Sequence, residues 1–137
     1  MNAASVESTR WVLAEIGRLL WVHRLDPALA ATALELPPEE AAMLIAGRPG
    51  EVQVAPERQD RVSLVLNILV RLEVRCGHDT AAIRAALDRP SDALGGATLA
   101  ERLLAGPDLS GLRELRVAAG ELPVPRIRMW RVADRYS

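Results

Sequence analysis

Val12, Leu13, Ile16, Leu19, Leu20 and His23 recur at three- and four-residue steps, the spacing of one helix face, and predict a first helix over residues 6–23. Its far side carries Glu7, Arg10, Ala14, Glu15 and Arg18, as an amphipathic helix requires. Trp11 and Trp21 also project to that polar side at 100° per residue. Asp26-Pro27 supplies a cap followed by the residue that fits a first helical position, which predicts a short helix through about residue 34. Pro37-Pro38 ends that unit and opens another over 38–46, with Glu39 and Glu40 against its positive end and Gly47 closing it. Residues 51–55 alternate weakly and suggest a short extended piece cut off by Pro56.

The longest pattern runs over 56–76. Val62, Val65, Leu69, Leu72 and Cys76 form one apolar stripe and Leu66, Val70 and Val74 a second, widened by Leu64 and Ile68. Ser63, Asn67, Arg71 and Arg75 make its one continuous polar stripe, so this helix is expected at the centre of a bundle or along a dimer seam. Gly77 stops it. Asp79 caps a fifth helix to about residue 87, and Arg89-Pro90-Ser91-Asp92 with Gly95-Gly96 form a turn-rich connection. Thr98-Leu99-Ala100-Glu101 has capping-box spacing and opens a sixth helix that Gly106-Pro107 ends. Asp108 or Ser110 starts the last, with Leu109, Leu112, Leu115 and Ala119 inward; Pro123 and Pro125 then forbid helix in the tail. The prediction is an all-α, compact multi-helix bundle with an N-terminal helix-turn-helix-like part and an extended C-terminal tail. Its organisation is 1–55, 56–122 and 123–137.

Composition narrows the palette. Half of the 137 residues are hydrophobic but only 3% are aromatic and none is Phe, so Leu, Val, Ile and Ala must build the core, which favours helix on helix. All 17 basic residues are Arg, against 18 acidic ones. The net charge of −1 provides no general field for nucleic acid, and any DNA contact has to be local. The lone Cys76 cannot form an internal disulfide and sits in an apolar helical stretch, which suits a reducing, cytoplasmic setting. No apolar run has the length of a membrane span, and residues 1–10 lack the order of a signal peptide, so neither membrane insertion nor export is expected.

Two adjacent features line up with a family. Residues 26–47 have the helix, tight turn, helix layout of an Xre-like helix-turn-helix. The long helix ending at Gly77, the helix after Asp79, and the run Leu94-Gly95-Gly96-Ala97-Thr98 opening a helix that ends at Gly106 resemble the toxin-binding domain of Xre/MbcA/ParS-like antitoxins. The chain departs from that pattern at Ala86, Ser91 and Leu99, where the family typically has Trp, Asn and Pro. The resemblance spans residues 25 to about 122. It implies an antitoxin of a type II toxin-antitoxin system that neutralises a RES-domain, NAD-consuming toxin in a stable complex, often with repression of the shared operon. It marks Leu94, Gly95, Gly96 and Thr98 as toxin-binding residues.

The other candidate residues each carry two readings. Trp11 and Trp21 are either an exposed interface pair or packed inside; Leu66 and Val70 are candidate interface positions of a homodimer within a hetero-oligomer. Arg126, Arg128, Trp130 and Arg131, with Arg135, form a cationic cluster in the tail that fits docking onto the toxin, contact with DNA, or plain solvation. In the helix-turn-helix, residues 39–44 offer no Arg, Lys, Asn or Gln, and Glu39 and Glu40 would face phosphates. That favours a retained scaffold over a groove-reading helix, with Arg24 and Arg48 as the only flanking cations. His23, Cys76 and His78 lack the further ligands of a metal site, and no Ser/His/Asp set, phosphate-cradling loop or carboxylate pair is apparent. No enzyme activity, metal or cofactor is therefore expected. The competing classes are a DNA-binding transcriptional regulator of the Xre type without a toxin, and a helical adaptor.

Overall fold

The computed structural model describes residues 3–48, 52 and 54–122, and these fold into seven α-helices with no strand among them. They are α1 (Ala3–Val22), α2 (Ala28–Leu34), α3 (Pro38–Ile45), α4 (Gln59–Arg75), α5 (Thr80–Asp88), α6 (Leu99–Leu104) and α7 (Leu109–Ala119). Short 3₁₀ turns stand at Pro56–Arg58 and Asp92–Leu94. The all-α expectation holds, and the tail, 123–137, lies outside the described residues. Of the segment expected to be extended, residues 52, 54 and 55 join no strand, and Val52 is buried in the core.

Local chemistry sets the helix ends. Asp26 Oδ1 accepts from the Ala28 N–H, Asp79 Oδ2 from Ala82, Thr98 Oγ1 from Glu101 and Asp108 Oδ1 from Gly111, each at 2.8–3.0 Å. These are the orphan donors of a first turn finding side-chain acceptors. At the other ends α1, α2, α3 and α4 close on a left-handed residue: Arg24, Glu35, Gly47 and Gly77. In each case the following N–H bonds back to a carbonyl in the last turn, as Leu25 does to Leu20 at 2.9 Å and Arg48 to Met43 at 2.8 Å.

The central helix is α4. Pro56 at the first position tightens its entry into a 3₁₀ turn before the α-helix proper. Its Val62, Leu64, Val65, Ile68, Leu69 and Leu72 are buried, and it packs on α1, α2 and α7. Arg61 near its start donates through Nε to the Ala33 carbonyl at 3.0 Å and through Nη2 to the Pro107 carbonyl just ahead of α7. Arg75 at its end donates to the Leu122 carbonyl just beyond α7 at 2.9 Å, so α4 and α7 run parallel. One apolar cluster extends from Leu13 to Leu122, drawing on every helix.

Of the two apolar stripes of α4, one is covered by described helices and the other is not. Leu66 is half-buried, and Val70 and Val74 are exposed, because no described helix lies over that stripe. α1 meets α3 very closely: a Cβ on the buried Gly17 would overlap the Leu44 carbonyl oxygen and stand 3.0 Å from its carbon. That contact requires glycine through proximity, with its backbone in an ordinary helical conformation.

Candidate functional site

Burial separates the two faces of α1. Leu13, Ile16, Leu19, Leu20 and His23 are buried, whereas Trp11 is 63% and Trp21 is 69% exposed on the outer face. A solvent-facing tryptophan leaves a large apolar area wet, the state that binding a partner relieves. Trp21 also edges a groove between the ends of α1 and α3, floored by Leu20 and Leu25 and flanked by Val22 and Ile45. On the other side of Arg24 a second groove runs between α2, α5 and α6. Leu25, Leu29, Leu87 and the exposed Leu104 give it an apolar floor, and Asp26, Arg84 and Asp88 give it a charged rim. Val22, Ile45 and Leu104 did not stand out in the sequence, since periodicity marks a helix face without showing which neighbour leaves it uncovered.

The residues picked out by family resemblance divide by exposure. Leu94 is 4% and Thr98 7% accessible, and the Thr98 hydroxyl is committed to the α6 cap, so both hold the turn from within. Gly95 and Gly96 are exposed with φ of 67° and 86°. Their turn is tied off by Ser91, whose carbonyl accepts from Leu94 and Gly96 and whose N–H donates to Ala97, and by Arg102, which donates to the Leu94 carbonyl at 2.9 Å. Within this motif the solvent-facing part is therefore the Gly95-Gly96 backbone.

Arg24 and Arg48 are both exposed, just past the C-terminal ends of α1 and α3. The outward positions of α3 are Pro38, Glu39, Ala42 and Ala46, which supply no donor for a base edge. Leu66 and Val70 lie on the uncovered stripe of α4, with Val74 and, on α7, Val117 as further exposed valines. Arg126, Arg128, Trp130, Arg131 and Arg135 lie outside the described residues.

A buried polar cluster escaped the sequence reading. His23 Nε2 lies 2.6 Å from Glu73 Oε2, and its Nδ1 lies 2.8 Å from Thr80 Oγ1. The exposed His78 brings its Nδ1 to 3.4 Å from Glu73 Oε1. With Glu73 ionised, the hydrogen of the short contact belongs to His23 Nε2, which donates to the carboxylate. The cluster joins α1, α4 and α5 and fixes the imidazole at both nitrogens. Fifty residues separate His23 from Glu73, so spacing gave no hint of the pair. No group of three or more His, Cys, Asp or Glu able to hold a metal ion occurs among the described residues. Cys76 is buried, and burial pushes its thiol above the ordinary range, Asp79 adding to the rise and Arg75 opposing it. No described helix is long and apolar enough to cross a membrane. Set against models of protein families, curated proteins and solved structures, the chain matches none.

Proposed function

We propose that this chain is a cytoplasmic binding protein of the antitoxin type, which holds a RES-domain toxin in an inactive complex. The observation that carries the reading is the exposure of Trp11 and Trp21 on the outer face of α1, with Trp21 at the edge of an apolar groove. Tryptophans that fill a partner's pocket dominate interface energies. The Leu94 to Thr98 segment and its exposed double-glycine turn support the toxin as the partner through the resemblance described above. The Leu66, Val70 and Val74 stripe supports a homodimer within the complex, and the cationic tail residues Arg126, Arg128, Trp130 and Arg131 are assigned to the toxin as well. Repression of the shared operon through α2 and α3 would rest on Arg24 and Arg48, since the exposed α3 residues Pro38, Glu39 and Ala42 offer no donor to a base edge.

Co-expression with the product of the adjacent gene tests it. The intact chain is expected to rescue growth from a toxic neighbour and to co-purify with it, and the W11A/W21A double variant is expected to lose both. An adjacent product that is harmless and forms no complex overturns the reading.

A further inference from the structure

We infer that the edge between α4 and α7 is a binding surface for the phosphodiester backbone of a nucleic acid, separate from the helix-turn-helix part. Arg71 and Arg75 stand one turn apart on α4, about 6 Å between their β-carbons. Arg113 and Arg116 share one face of α7 with Gly120 at three- and four-residue steps. Arg71 joins the two pairs: its Nη1 lies 3.4 Å from the Arg116 carbonyl oxygen and borders Gly120. Four arginines thus line one edge of the molecule. None of them is ion-paired with a carboxylate among the described residues, whereas Arg18, Arg58 and Arg61 are. The Arg116 side chain is half-buried, and its Nε is buried without an acceptor among the described residues.

Unpaired like charges gathered on adjacent helices repel one another unless an anion lies across them. A guanidinium fork matches the oxygens of a phosphate better than any other side chain does. Ser63 and Asn67 continue the same exposed stripe of α4; Asn67 Nδ2 spends one hydrogen on the Ser63 carbonyl at 2.9 Å, which leaves its second and the Ser63 hydroxyl as donors of the kind that contact phosphate and sugar. Residues 1–122 hold thirteen arginines against seventeen acids, so the four arginines of this edge are a local row within an acidic part of the chain. A linear row of cations with hydrogen-bonding neighbours suits a repeating polyanion, and reading of base sequence is not required of it. The surface is distinct from α3, which packs on α1 and α2 while α7 packs on α4 and α6. It stands whether or not a toxin is the protein partner.

The test uses the full chain and fluorescein-labelled DNA of arbitrary sequence, single-stranded and duplex, followed by anisotropy over a salt titration. Binding at low salt is expected, weakening as salt rises. R71Q/R113Q should lower affinity about tenfold and make the log–log salt slope shallower by about two. R71K/R113K, which keeps the charges, should retain most of the slope, while R84Q/R89Q, which removes two exposed arginines elsewhere, should bind as the unaltered chain does. Absence of binding at low salt overturns the inference. So does equal weakening by R71Q/R113Q and R84Q/R89Q, which would reduce the effect to net charge, or competition by polyglutamate as effective as that by unlabelled DNA, which would make the surface one for acidic protein. Matched melting curves and far-ultraviolet spectra among the variants exclude unfolding as the cause.

Discussion

Arg24, Glu35 and His78 adopt φ of 52°, 58° and 60°, where a β-carbon is crowded and glycine is the ordinary occupant. Glu35 has a use for its side chain, which takes Arg58 at 3.2 Å and Arg61 at 3.8 Å. Arg24 is exposed and joins no such pair among the described residues, so Arg24→Gly is expected to raise stability by about 0.5 to 1 kcal/mol, read as a higher urea midpoint at unchanged slope. Cys76 gives a pH prediction of definite sign. Burial raises the folded-state thiol above its unfolded value, so its contribution to stability is full below the unfolded range. That contribution is lost as pH rises into the alkaline range and the unfolded chain releases its proton first. From neutral pH upward the unaltered chain should therefore lose stability faster than Cys76→Ala, and the native thiol should react with a disulfide reagent only as fast as the protein opens.

Among the helices, the close crossing of α1 and α3 depends on Gly17. Gly17→Ala is expected to cost about 2 to 4 kcal/mol, because the obstacle is the backbone of Leu44, which cannot rotate away as a side chain can. A drop of less than 1 kcal/mol in urea unfolding would show that α3 shifts freely. The clamp of His23 on Glu73 and Thr80 carries a similar weight. His23→Ala leaves a nearly buried carboxylate with only the exposed His78 beside it and should cost about 2 to 4 kcal/mol, and Glu73→Gln, which keeps an acceptor, should cost less. The contrast with what was legible in the sequence is instructive. The Asp79 and Thr98 caps were readable because a cap and its target lie three residues apart, and of Asp108 and Ser110 it is Asp108 that caps the last helix. The inner face of α1 was readable because burial repeats with the helical period. Gly17 and Glu73 owe their roles to elements that only tertiary packing brings near, and no local rule anticipates which helix will come.

For the molecule as a whole, the two tryptophans were placed on the outer side of α1 by angle alone, and the structure leaves them there in solvent. What sequence could not settle was whether another helix would cover them. Leu66, Val70 and Val74 show the reverse case: a second apolar stripe suggested a bundle centre or a dimer seam, and among the described residues no helix lies over it. Leu94 and Thr98 mark a further limit, since a motif shared with a family does not separate residues that touch a partner from those that shape the turn behind it. The single apolar cluster running from Leu13 to Leu122 has one more consequence. During synthesis α1, α2 and α3 leave the ribosome well before α4 does, and until residue 76 has emerged the oily side of α1 has α3 but not α4 to close upon. A nascent chain halted at residue 55 is expected to remain protease-sensitive, and resistance should rise once α4 has cleared the exit tunnel. The time spent between those two lengths is when this protein is most open to capture by a chaperone.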